Sequence, residues 1–219
     1  LHAPWNIKAL QAGKHVLTEK PFAANAAEAR HVADVARGTD RLIMEAYHYV
    51  FHPVMKRVID AASSGEIGAL VHVESVMEIP APADDNLRWQ FELAGGAQMD
   101  VGCYALHAMR MLRGCGDGEP WVEAADVRER EGRPGVDEWL HTVLTYPSGA
   151  TGRAIADMDT PEMRMSLTVI GTAGRVHAHN FVLPQLDDRV EITTRAGTHI
   201  ESLGTRPTYD YQLEVVANA

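Results

Sequence analysis

The stretch that decides the fold is His15-Val16-Leu17-Thr18-Glu19-Lys20-Pro21. Its first four residues predict a short apolar strand, and a helix over residues 25–37 and a second strand over residues 41–46 follow. Asn25 can cap that helix, because Glu28 stands three residues later at the spacing of a capping box. This strand–helix–strand rhythm predicts parallel strands covered by helices.

After residue 46 the pattern changes. An amphipathic helix is predicted over residues 53–64, an alternating strand over 70–79 and a helix over 98–113. Six closely spaced strands follow, at residues 123–130, 138–146, 150–157, 164–170, 175–180 and 190–194. We therefore predict an α/β fold: a partial, doubly wound Rossmann domain over residues 1–46, then an α+β domain with a large, mostly antiparallel open sheet over 47–219.

Composition excludes several classes of function. Hydrophobic residues make up 46% and charged residues 23% of the 219 residues, as in soluble globular proteins. The net charge of −10, without a basic cluster, argues against nucleic-acid binding. The longest apolar runs fall short of the roughly 18 residues of a membrane span. The two cysteines, Cys103 and Cys115, predict free thiols and a cytoplasmic location.

Glu19-Lys20-Pro21 is the first motif that can carry chemistry. It ends a predicted parallel strand, and open α/β sheets bind ligands beyond that edge. Lys20 can reach into a cleft there, and Pro21 stiffens the turn. An ordinary surface lysine is the alternative, and the tripeptide alone favours it.

The second motif opens and fills the helix predicted over residues 98–113. It reads Gly95-Gly96-Ala97-Gln98-Met99-Asp100-Val101-Gly102-Cys103-Tyr104-Ala105-Leu106-His107. The paired glycines would let the backbone approach a ligand closely. The i, i+4, i+7 spacing predicts that Asp100, Tyr104 and His107 share one helical face. Gly102 costs about 1 kcal/mol relative to Ala inside a helix, which indicates close packing against another backbone or a ligand.

A third segment, Met44 to Pro53, joins the two predicted domains. Its Glu45, His48 and His52 do not make a metal site, because no closed set of Cys and His ligands accompanies them. We expect no bound metal.

Together, residues 12–21, 44–53 and 95–107 resemble the Gfo/Idh/MocA family, which includes glucose–fructose oxidoreductase, inositol dehydrogenase and dihydrodiol dehydrogenase. The resemblance implies an NAD or NADP cofactor, a sugar-like or diol substrate, and a homo-oligomer, dimer or tetramer, formed through the C-terminal sheet. The family's glycine-rich dinucleotide fingerprint lies upstream of the Glu-Lys-Pro motif. We therefore expect the chain to lack the first part of the Rossmann domain, and also a C-terminal helix and strand.

The resemblance also implies roles for single residues. Tyr104 would be the acid/base, as in the dihydrodiol dehydrogenase branch, with Lys20 as its catalytic partner. Cofactor contacts are expected from Glu19, Lys20 and Pro21, and substrate contacts from Asp100, His107, Arg88 and His2. We expect Lys20 to lower the pKa of the Tyr104 phenol and the Lys20–Pro21 peptide to be cis.

Two other functions stay open at this point. A glycosidase of the same fold that recycles bound NAD would use the same cleft and release an aglycone without net NADH. The second function is a non-catalytic sensor of a sugar or cofactor. The presence of Lys20 and Tyr104 argues against it, because a sensor does not need a pair of residues that transfers protons. The sequence leaves the substrate and the choice between NAD and NADP undecided.

Overall fold

The computed structural model describes residues 2–219, and its first part is a small parallel α/β unit. The elements are α1 (His2–Gln11), β1 (Val16–Thr18), α2 (Ala26–Arg37) and β2 (Ile43–Glu45). The strands β1 and β2 pair in parallel. The Asn25 side chain accepts a hydrogen bond from the Glu28 backbone N at 3.0 Å, so the predicted cap is confirmed. Leu10 and Val32 are fully buried between the two helices and the strands.

The second part is built on an eight-stranded sheet. Its elements are α3 (Pro53–Ser63), β3 (Leu70–Glu78), α4 (Cys103–Met111), β4 (Trp121–Glu129), β5 (Asp137–Thr145), β6 (Thr151–Asp157), β7 (Arg164–Gly171), β8 (Gly174–Ala178), β9 (Arg189–Thr194), β10 (Gly197–Ser202) and α5 (Thr208–Ala217). The strand order is β10-β9-β8-β7-β3-β6-β5-β4. Only β3 and β6 pair in parallel within this sheet, so the predicted, mostly antiparallel sheet is confirmed. The sequence patterns did not predict β10.

Helices α3 and α4 cover one face of this sheet and leave the other face open. Leu167 and Val169 lie under the helices with no exposed surface, whereas Val143 is 44% exposed on the open face. Val143 and Leu167 therefore lie on opposite faces of the sheet. Leu167 aligns across the sheet with Thr142, so the one-residue offset puts Val143 on the opposite side.

The helix predicted over residues 98–113 is two helices of different geometry. A π-helical turn, Gln98–Gly102, precedes α4. A Cβ atom at Gly102 would lie 3.0 Å from the Cβ of Ala156 on β6, so glycine lets the turn press against that strand. The close packing predicted at Gly102 is thus protein packing. Single π-helical turns are frequent at functional sites.

Protein atoms occupy the space beside Gly95 and Gly96. A Cβ atom on Gly95 would lie 2.4 Å from the Arg88 carbonyl oxygen, and Gly96 has a φ of 120° beside Asp137. Asp137 Oδ2 also accepts a hydrogen bond from the Gln98 backbone N at 2.6 Å, at the start of the π-helical turn. The two glycines therefore allow a tight turn within the protein. The space beside them, which was expected to admit a ligand, holds protein atoms.

Candidate active site

Lys20 reaches from the parallel unit to the π-helical turn of the second part. Its Nζ donates hydrogen bonds to the Asp100 carbonyl oxygen at 2.6 Å and to Asp100 Oδ1 at 3.0 Å. The two side chains are only 15% and 17% exposed. Water therefore screens this ion pair less than it screens a surface pair, and the contact fixes the position of the ammonium group.

Two hydrogen bonds hold the turn that presents Lys20. The Lys20–Pro21 peptide is cis, as expected. His2 Nδ1 lies 2.8 Å from the Pro21 carbonyl oxygen, and Glu45 Oε1 accepts from the Phe22 backbone N at 2.7 Å. His2 thus contacts the Glu-Lys-Pro turn, while Glu19 in that turn is exposed.

Asp100 has a second cationic partner. Arg88 comes from a short 3-10 helix, Leu87–Trp89, and its Nε donates to Asp100 Oδ2 at 2.6 Å. Both carboxylate oxygens of Asp100 are therefore bound to cations of the protein. An ammonium group has three N–H donors, and Asp100 accepts from two of those of Lys20. One N–H of Lys20 remains for a ligand.

Tyr104 lies in the first turn of α4 and is 8% exposed. Lys20 Nζ is 5.1 Å from the centroid of its ring, within cation–π range. Burial raises the pKa of Tyr104 well above its ordinary value of 10. The expectation that Lys20 lowers this pKa is wrong, because loss of solvation dominates in this environment. The phenol is protonated at neutral pH and can donate its proton.

Aromatic side chains from the segment between the two parts surround Tyr104. The rings of Tyr47 and Tyr49 lie 5.4 and 6.0 Å from the Tyr104 ring. His107 stacks on Tyr47 with a centroid distance of 3.9 Å, and its Nδ1 lies 2.8 Å from the Tyr49 hydroxyl. The predicted polar face is therefore divided: Asp100 meets the cations, and His107 meets the tyrosines.

Tyr47 and Tyr49 were not predicted as site residues, although both belong to the segment Met44 to Pro53. His48, which was considered there only as a metal ligand, is 2% exposed with its ring 6.1 Å from that of Tyr104. Burial lowers the pKa of both His48 and His107 to about 4, so both imidazoles are neutral at neutral pH. The run of three consecutive ring side chains, Tyr47-His48-Tyr49, was the available signal.

Metal ligation, membrane crossing and thiol chemistry complete the description of the side chains. Over residues 2–219 no group of three His, Cys, Asp or Glu side chains could hold a metal ion. Within the same range no helix has the length and apolar character that a membrane crossing requires. Cys103 and Cys115 are free thiols, and burial raises the pKa of Cys103 to about 11.

Comparison with protein families gives two matches. Residues 1–47 match the family described as "Oxidoreductase family, NAD-binding Rossmann fold". Residues 55–177 match "GFO/IDH/MocA C-terminal domain".

Curated relatives match over most or all of the chain. D-xylose 1-dehydrogenase (NADP(+)) 2 of Haloferax volcanii is 38% identical over 100% of this chain and 66% of its own length. A dTDP-3,4-didehydro-2,6-dideoxy-alpha-D-glucose 3-reductase of Streptomyces violaceoruber is 40% identical over 73% of this chain and 46% of its own. The chain thus spans between about half and two thirds of these relatives.

Among solved structures, KijD10, a 3-ketoreductase from Actinomadura kijaniata in complex with NADP and TDP-benzene, superposes with a TM-score of 0.90 at 26% identity. The match covers 100% of this chain and 66% of KijD10. Solved variants of KijD10 replace a lysine by alanine and a tyrosine by phenylalanine. The separation of those two positions along its chain equals that between Lys20 and Tyr104.

The neutral, buried His107 predicts a stability that depends on pH. The unfolded chain binds the imidazole proton near pH 6.5 and the folded chain only near pH 4. Lowering the pH from 7 to 5 should therefore reduce the free energy of unfolding, by about 1–2 kcal/mol for this group. In urea unfolding, the free energy of unfolding of a His107→Phe variant should fall between pH 7 and pH 5 by that much less than the wild-type value. His31→Phe, at an exposed site on α2, is the matched control, and equal pH slopes for wild type and His107→Phe would refute the assignment.

Proposed function

This chain belongs to the Gfo/Idh/MocA oxidoreductase family, and we propose that it carries the active site of an NAD(P)-dependent oxidoreductase. The reaction is hydride transfer between the nicotinamide cofactor and a sugar-like or diol carbinol or its carbonyl form. The observation that carries this proposal is the protonated, buried Tyr104 beside the ammonium group of Lys20, where the parallel unit meets the sheet domain. A second observation supports the proposal: the lysine and the tyrosine replaced in KijD10 are the same number of positions apart in sequence as Lys20 and Tyr104.

The residues present fit a nicotinamide cofactor. Glu19, Lys20 and Pro21 follow the carboxyl end of β1, one of two parallel strands, which is the edge where open α/β sheets bind dinucleotides. The remaining N–H of Lys20 suits a hydroxyl oxygen of the cofactor's ribose or the oxygen of the substrate. Bound NAD(P) supplies the hydride chemistry.

Tyr104 moves the proton in this scheme. Its phenol is protonated at neutral pH, so it is ready to donate to the oxygen of a substrate carbonyl as that oxygen gains negative charge. A protonated donor is what reduction of a carbonyl to an alcohol requires. Lys20 adds a positive charge close to the same oxygen, which stabilises the developing alkoxide and the tyrosinate left behind.

Asp100 and Arg88 position the site. Asp100 fixes the position of the Lys20 ammonium group, and Arg88 shares its carboxylate. The Arg88 side chain is 42% exposed, so the rest of its guanidinium can donate to substrate oxygens. His2 acts on the substrate through the Glu-Lys-Pro turn that it contacts, and His107 through Tyr47 and Tyr49, which pack around Tyr104.

Replacing Tyr104 tests the proposal. In the complete gene product, Tyr104→Phe should lower kcat for carbonyl reduction by about 10²–10⁴-fold, because it removes the proton donor and keeps the ring. Stopped-flow measurement of NAD(P)H oxidation over a panel of aldoses and diols gives kcat, and fluorescence titration gives the Kd of NAD(P)H, which should stay unchanged.

Tyr211→Phe, on α5 beside His52, is the matched control and should turn over like wild type. Normal turnover by Tyr104→Phe would reject the acid role of Tyr104. Aglycone release from glycosides without net NADH would instead identify the glycosidase. Binding of cofactor and sugar without hydride transfer by the wild type would identify the sensor.

We also propose that the protein is a cytoplasmic homo-oligomer, assembled through the open face of the eight-stranded sheet. This face presents Val143 with 44% and Ile170 with 38% of its surface exposed, next to paired charges such as Arg164 and Glu78. Light scattering at micromolar concentration should give a dimer or larger. Val143→Glu should shift the mass toward the monomer, since a buried unpaired carboxylate is costly. A monomeric wild type would contradict the proposal.

A further inference from the structure

His48 is a buried histidine without a structural partner. It lies in the short 3-10 helix His48–Phe51 and is 2% exposed. No side-chain hydrogen bond within residues 2–219 involves its ring, and its Nδ1 is fully enclosed without a partner. Nε2 is not enclosed. An enclosed, unpaired polar atom lowers the stability of the folded protein by about 1–3 kcal/mol. An apolar side chain would therefore fill this position better if packing were its sole role.

His52, four residues later, shows what a structural histidine does in this chain. It is equally buried and its Nε2 is also enclosed without a partner, but its Nδ1 accepts a hydrogen bond from the Val54 backbone N at 3.1 Å and caps α3. Within residues 2–219, His52 thus uses one ring nitrogen in a structural hydrogen bond, whereas His48 uses neither. Nε2 of His48 therefore remains for a group outside the protein.

The position of His48 indicates which group that is. Its ring lies 6.1 Å from the Tyr104 ring on one side and 4.2 Å from the Tyr209 ring on the other. Tyr209 comes from α5 and is 49% exposed. Burial, together with the positive charge of Lys20, lowers the pKa of the His48 imidazole and keeps it neutral. His48 therefore lies at the boundary between the proton donor and an accessible aromatic surface.

We infer that His48 binds a substrate hydroxyl through Nε2, next to the carbon whose oxygen receives the proton of Tyr104. Nε2 of a neutral imidazole either donates or accepts a hydrogen bond, and a hydroxyl group can be the partner in both cases because it both donates and accepts. Tyr209 packs against the imidazole at an interplanar angle of 31° and extends the same wall with its exposed ring. The residue thus selects polyol substrates that carry a hydroxyl at that position. This inference rests on the proposed oxidoreductase function.

The test combines variants of His48 with deoxy substrates. Wild type, His48→Phe and His48→Gln are compared in the complete gene product with D-xylose, D-glucose and their monodeoxy analogues. One analogue should lose about tenfold in kcat/KM with wild type, the value of one neutral hydrogen bond of about 1.4 kcal/mol. His48→Phe should be about tenfold slower on the parent sugar and show no further loss with that analogue.

His48→Gln should recover part of the loss, since its amide can reach the place of Nε2, whereas the flat ring of Phe only restores packing against Tyr209. His31→Phe on α2 is the matched control and should behave as wild type. Circular dichroism melting checks that each variant is folded. If His48→Phe melts far below wild type, the same comparison made between His48→Gln and wild type decides.

The outcomes separate this inference from the proposed function. Suppose that wild type reduces the sugars, but that each deoxy analogue loses the same factor in kcat/KM with wild type and with His48→Phe. The role of His48 is then refuted, and the proposed oxidoreductase function is unaffected. If wild type binds sugar without turnover, calorimetric Kd values replace kcat/KM in the same comparison. If wild type neither reduces nor binds any sugar of the panel, the proposed function fails and the His48 inference fails with it.

Discussion

The contact between Lys20 and Asp100 is the interaction on which the site depends. It joins residues 80 positions apart in the chain, one from the cis turn after β1 and the other from the π-helical turn before α4. Removing two charges from water is costly, and the cost is offset only when their geometry and remaining hydrogen bonds are good. Here the ammonium group bonds both a carboxylate and a carbonyl oxygen, and Arg88 bonds the second carboxylate oxygen. The pair therefore fixes the charge of Lys20 beside Tyr104.

The surroundings of this ion pair decide the protonation of its neighbours. Burial keeps the phenol of Tyr104 protonated and the imidazoles of His48 and His107 neutral. The positive charge of Lys20 is thus the main fixed charge that meets a substrate oxygen in this place. Such an arrangement suits carbonyl reduction, in which a neutral donor delivers a proton and a cation stabilises the charge that develops.

Local sequence patterns predicted what depends on neighbours along the chain. The cap at Asn25, the parallel pair β1 and β2 and most strands of the large sheet follow from period and turn residues. Contacts between distant segments did not follow. The π-helical turn depends on Gly102 pressing on β6, and the hydrogen bond between His107 and Tyr49 crosses 58 positions of sequence. The pKa of Tyr104 was predicted to be lowered, but burial raises it. A sequence motif indicates that the charge of Lys20 is nearby, whereas it does not indicate how deeply the phenol is buried.

A double-mutant cycle on Lys20 and Asp100 measures whether Asp100 acts through Lys20. The variants Lys20→Met, Asp100→Asn and the double variant are compared by single-turnover reduction of a sugar carbonyl with bound NAD(P)H in the complete gene product. Asp100 is argued to act through Lys20, so Asp100→Asn should slow the wild type by about tenfold or more and change the Lys20→Met variant hardly at all. Equal slowing in both backgrounds would show that the two residues act independently, and would contradict the account.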